Sequence, residues 1–131
     1  LQAKPRGFHL VSDKILKALP EISTIHVGLL HLFLQHTSAS LSINENADSS
    51  VRRDMESHFN QLAPEDSPYY EHTYEGSDDM PAHIKSALLG CEMSLPIAQG
   101  SLKLGTWQGI YLGEHRDSAS ARTLIATLTG E

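Results

Sequence analysis

Residues 25–36 read Ile25-His-Val-Gly-Leu-Leu-His-Leu-Phe-Leu-Gln-His36, a nearly unbroken apolar run without proline. Such a run is expected of a central β-strand covered on both faces. Because side chains alternate along a strand, His36 shares a face with Leu30, Leu32 and Leu34. It leaves that apolar face at the entry to the hydroxyl-rich turn Thr37-Ser38-Ala39-Ser40. The run is broken by Gly28 and His31 and is too short to span a bilayer, so no membrane partner is expected.

Working outward, Ser12 precedes Ile15, Leu16 and Leu19, with Pro20 behind, the pattern of a short capped helix. Val51, Met55, Phe59 and Leu62 recur at helical spacing, with Asp48 or Ser49 as the N-cap and Pro64 beyond the end. Residues 63–79 are acidic and proline-containing without any periodicity, and loops of that length are often functional. Asp79 then caps a helix with Pro81 in its first turn, Ile84 and Leu88 on its inner face and Gly90 as its stop. Residues 92–97, 103–114 and 122–128 read as strands, the first two joined by a tight turn at Gln99-Gly100. Mixed strands and helices, with no long helix between the last three strands, predict an α+β fold: a single compact domain over residues 1–131, with a mainly antiparallel sheet and about three helices.

The chain has 131 residues and a formal net charge of −6, with its ten Lys and Arg scattered. General nucleic-acid binding is therefore not expected. Cys91 is the one cysteine, so no intrachain disulfide forms, which suits a cytoplasmic protein. The size suffices for a core, so a metal, if one is bound, serves chemistry and not folding.

Eight histidines stand out. His36 either binds a ligand or satisfies local backbone groups. His9, His26, His31 and His58 read as structural. His83 lies in the first turn of its helix, where the dipole disfavours imidazolium and favours the neutral ring that can ligate a metal; the same helix start could instead hold a phosphate. In Gly105-Thr-Trp-Gln-Gly-Ile-Tyr-Leu-Gly-Glu-His-Arg116, glycines and aromatics share one face, which favours close packing. Gln108 and Glu114 lie on the opposite face, where burial without partners is costly, so they are functional candidates. There is no P-loop, G-x-S-x-G elbow, H-E-x-x-H pair or C-x-x-C.

The segments Arg6-Gly-Phe-His-Leu, Gln35-His-Thr-Ser-Ala-Ser-Leu, Asn44-Glu-Asn, Asp78-Asp-Met-Pro-Ala-His-Ile-Lys, Leu104-Gly-Thr-Trp-Gln-Gly-Ile and Gly113-Glu-His-Arg resemble the YjbQ family. The resemblance implies a homotrimer with a polar site between subunits, which in some members holds a metal. It also implies a weak thiamine-phosphate synthase activity, joining hydroxymethylpyrimidine diphosphate to thiazole phosphate. Carried over by motif, the metal ligands are His36, His72 and His83, and the catalytic candidates are Asn46, Asp79, Gln108 and Glu114. Thr37, Ser38 and Arg116 are the candidates for holding a small phosphorylated molecule. His115 is left out of the metal set, and Glu71 or Glu75 could replace His72. Three histidines suit zinc better than Mg²⁺, which prefers oxygen ligands. A metal-dependent hydrolase and a non-catalytic metal or small-anion binding trimer remain open as alternatives, so whether the chain is an enzyme is not decided by its sequence.

Overall fold

The computed structural model describes residues 1–131. Its elements follow in the order β1 (Gly7–Leu10), α1 (Ser12–Ala18), a 3₁₀ turn (Pro20–Thr24), β2 (Val27–Leu34), β3 (Ala39–Glu45), α2 (Ser49–Leu62) and α3 (Asp79–Leu89). Four strands complete the chain: β4 (Glu92–Ala98), β5 (Ser101–Leu102), β6 (Gln108–Glu114) and β7 (Leu124–Gly130). All pairings are antiparallel, in two sheets of order β1-β6-β3 and β5-β4-β2-β7. No helix is long and apolar enough to cross a membrane.

One apolar core lies where the sheets face each other. Leu30, Leu32 and Leu34 of β2 and Leu95 and Ile97 of β4 cluster with Leu41 of β3 and Ile110 and Leu112 of β6. Each such side chain contributes about 2 kcal/mol when fully buried. α2 packs on β1 and α3 on β3, covering the other face of the three-stranded sheet. β6 is therefore the strand buried on both sides, and its helix-covered face carries Gly109, Tyr111 and Gly113. The glycines are needed there: a Cβ at Gly113 would stand 2.8 Å from the His115 ring and run into the Ser40 hydroxyl.

Several expectations are met. α2 starts where predicted, with the Asp48 side chain accepting from the Ser50 N–H, and Gly90 ends α3 at φ 99°. Gln99 and Gly100 form the tight turn, both with positive φ, as a two-residue hairpin requires.

Others are corrected. β2 is covered on one face only: Val27 (73% exposed), Leu29 and Phe33 point outward beside Ile125 of β7. Helix α3 turns Ala82, Lys85 and Ser86 inward and leaves Leu88 60% exposed. The expected strand 103–114 is interrupted, because the Gln108 side chain accepts the Gly105 N–H in a turn that leaves Trp107 exposed. Ser12 does not cap α1; its hydroxyl accepts the Ile110 N–H and ties the helix to β6. β3 was hidden by its alternating serines, since Ser40 and Ser42 belong to the helix-covered face, paired with Gly113 and Tyr111.

Candidate metal centre

Asp79 opens α3, and His83 follows one turn later on the same face of the helix. His72 reaches the same point from the 63–78 loop. Its Nε2 lies 2.6 Å from Asp79 Oδ2, and His83 Nε2 lies 3.0 Å from that same oxygen. One ligand atom from each of the three residues falls within 4.8 Å of the others, a group able to hold a metal ion.

The His83 ring is fixed from behind. Its Nδ1–H donates to the Thr37 carbonyl at 2.8 Å. With Nδ1 protonated, a neutral ring offers only a lone pair at Nε2, directed at the lone pairs of a carboxylate oxygen. That contact repels unless a cation lies there, either a second proton on the ring or a metal between the two atoms. Ligands about 2.0–2.2 Å from one ion in a tetrahedron stand roughly 3.4 Å apart, so the two rings need to draw back from Asp79 by less than about 1 Å to admit one. A ring whose other nitrogen is held by a backbone carbonyl is the usual environment of a metal-ligating histidine.

Asp79 is 1% exposed. Burial opposes its ionisation, but the His72 hydrogen bond and the charges of His83 and Arg116 outweigh burial and hold the carboxyl below its ordinary range. Arg116 is the counter-ion: Nη1 donates to Asp79 Oδ1 at 2.5 Å, Nε to Asp78 Oδ2 at 2.8 Å and Nη2 to the Glu75 carbonyl at 2.8 Å. Asp78 is likewise held low; the hydrogen bonds from the Asp117 N–H and from Arg116 overcome its burial. A cavity of about 250 Å³ adjoins the centre, with His72 in its wall beside Asp66, Ser67, Tyr70, Thr73 and Ser77. The loop that forms it is tied down by Tyr70 Oη donating to the Pro64 carbonyl and Ser77 Oγ donating to Glu65.

A second polar cluster lies at the end of the core. Glu114 (0% exposed) accepts from Arg122 Nε at 2.8 Å and Nη2 at 2.5 Å. Arg122 Nη1 faces His36 Nδ1 at 3.2 Å, and His36 Nε2 accepts the Thr123 N–H at 2.7 Å. Burial and the Arg122 charge depress the His36 pKa. Nε2 of His36 is thus taken by the backbone, and Nδ1, which then carries the proton, is closed off by the Arg122 guanidinium.

A family model described as UPF0047 protein YjbQ-like matches residues 1–131. The chain belongs to the YjbQ family. It is 58% identical to the UPF0047 protein YjbQ of Salmonella typhimurium over 131 residues, all of this chain and 94% of that one. With YugU of Bacillus subtilis it shares 37% identity over 103 residues, 79% of this chain and 75% of the relative. Among solved structures, a conserved hypothetical protein of Thermus thermophilus superposes with a TM-score of 0.85 at 32% identity, covering 98% of this chain and 96% of that one. A Sulfolobus solfataricus protein of unknown function reaches 0.87 at 23% identity, over 100% and 93% of the two chains, which speaks for the fold alone.

Set against the residues carried over from the YjbQ resemblance, the structure brings His72 and His83 together, with Asp79 in the place expected for His36. Glu71 and Glu75 are outside the group, and Glu75 lends only its carbonyl to Arg116. Thr37 and Ser38 act through their backbones, Thr37 behind His83 and Ser38 accepting from Arg122 and from the His115 N–H. Asn46 donates to the carbonyls of Thr106 and Gln108, and Gln108 braces the Gly105 turn. Sequence reasoning missed Arg122. The available signal was Glu114 itself, since a carboxylate on an apolar strand face requires a cationic partner.

Proposed function

We propose that the chain is a metal-dependent enzyme whose centre is His72, Asp79 and His83, with zinc as the resident ion. The observation that carries this is the His83 ring, bonded through Nδ1 to a carbonyl while Nε2 meets a carboxylate oxygen. Two imidazoles favour a transition metal over Mg²⁺, and three protein ligands leave coordination positions open, as in catalytic and not structural sites. When bound, such an ion polarises a substrate oxygen and makes a coordinated water acidic. Asp79 is kept anionic by Arg116, His83 is oriented by Thr37, and His72 joins the centre to the loop cavity. The hydroxyls of Ser67, Thr73 and Ser77 and the carboxylate of Asp66 there would orient a small polar substrate. These features favour hydrolysis or elimination.

Thiamine-phosphate synthesis is the activity that the family resemblance implies, and it needs donors for a departing pyrophosphate. Arg116 has its guanidinium engaged by Asp78, Asp79 and Glu75, and no Lys or Arg lines the cavity. Hydrolase chemistry is therefore the better-supported reading. Turnover of phosphate-ester, amide and lactone substrates with zinc restored to chelated protein, beside an assay on the two thiamine precursors, tests the choice. Activity on the precursors alone would reverse it.

The proposal includes a homotrimer. Val27, Leu29 and Phe33 of β2 and Ile125 of β7 are exposed apolar side chains on the outer face of the four-stranded sheet, which they share with His31, and a second copy seated there would cover them.

A further inference from the structure

We propose that the cleft between α2 and β1 is a second ligand site, built on Arg52 and Arg53 to hold a phosphate-sized dianion. The inference does not rest on the metal centre, with which the cleft shares no residue.

Three of the five arginines, Arg6, Arg116 and Arg122, have carboxylate partners. Arg52 and Arg53 have none, in a chain with sixteen Asp and Glu. Both line one open cleft of about 420 Å³, together with Arg6, Glu56 and Ser57. Glu56 does not neutralise them: Oε1 is bonded to Arg6 Nε at 3.2 Å and Oε2 is buried without a partner. Arg6 is already matched by Glu56, Glu65 and Asp117, so the cations of the cleft without a carboxylate partner are Arg52 and Arg53.

The cleft is also preorganised. Arg52 donates from Nε to the Tyr111 hydroxyl at 3.0 Å, and its guanidinium carbon lies 5.6 Å from that ring's centroid. Tyr111 is a buried residue of β6, and its own hydroxyl donates to the Glu45 carbonyl at 2.6 Å. The terminal nitrogens of Arg52 are therefore held at the cleft without an acceptor. Arg53 is steadied by Nη1 donating to Ser49 Oγ at 3.1 Å, which leaves Nη2 and Nε free. A guanidinium fork binds phosphate oxygens in pairs, and two such groups lining one cleft match a dianion in charge.

The test uses the whole chain, stripped of metal by chelation so that phosphate has no ion to bind. Inorganic phosphate is added at constant ionic strength while the Nε–H resonances of the arginines are followed by NMR. Arg52 and Arg53 should shift together and saturate at one phosphate per chain. Arg53→Gln, an exposed change that spares the Tyr111 contact, should weaken binding by about tenfold or more, and Arg52→Gln should do the same. His83→Ala should leave the titration unchanged. A linear, non-saturating shift, or full binding retained in Arg53→Gln, would overturn the proposal. So would binding lost in His83→Ala.

Discussion

His115 gives the sharpest prediction about stability. Its ring is 1% exposed between Phe8 and Ser40, with Nε2 2.8 Å from Ser40 Oγ and Nδ1 without any partner. Burial first, and then the positive charges of Lys85, Arg122 and Arg6, push its pKa from 6.5 down to about 3. The imidazolium would carry a buried Nδ1–H with no acceptor. The folded state therefore holds His115 neutral, while the unfolded chain takes up a proton below about pH 6.5. The stability from this group is complete above that pH and falls by about 1.4 kcal/mol per unit down to the folded pKa, roughly 3 kcal/mol by pH 4. Urea denaturation of wild type and His115→Gln at pH 7 and pH 4 isolates the effect from other titrating groups. Wild type should lose roughly 3 kcal/mol more than the variant over that interval. Equal losses, or a His115 resonance that titrates near neutrality in the folded protein, would refute the reasoning.

Three further outcomes follow from packing. Glu114→Gln leaves Arg122 buried without its counter-charge and should cost about 3 kcal/mol in urea denaturation; a cost near zero would mean that the pair is solvated. Gly113→Ala forces a Cβ against His115 and Ser40 and should destabilise by about 2 kcal/mol, whereas a neutral result would show that the helix layer yields. Phe33→Lys puts a charge among the exposed apolar side chains of the outer sheet face and should give a folded monomer by light scattering. A trimer that persists would place the contact elsewhere.

Much of the architecture was legible where local signals agreed. α2 combined apolar spacing with a capping Asp48, and the Gln99-Gly100 turn needs positive φ, which its sequence accommodates. β2 was located correctly, but its faces were misjudged because the residues left open to solvent in one chain are as apolar as those inside. β6 is the doubly buried strand, yet its helix side is made of glycines and one tyrosine, which carry little hydropathic signal. α3 was misoriented because Lys85, fully buried, donates to Asn60 of α2 at 2.7 Å, a contact made across twenty-five residues. The candidate centre divides in the same way. Asp79 and His83 stand one helical turn apart and are visible as a pair, and His72 lies only seven residues upstream. His36 has its partners, Arg122 and Thr123, more than eighty residues later, so nothing near it in sequence showed that its ring was already engaged.

Zinc content tests the central claim most directly, measured by elemental analysis on purified wild type, His72→Ala, His83→Ala and His36→Ala after equilibration with zinc and desalting. The arrangement of ligands predicts one ion per chain in wild type and in His36→Ala, and loss of that ion in His72→Ala and His83→Ala. Undiminished zinc in His83→Ala, or loss in His36→Ala while the other two retain it, would contradict it.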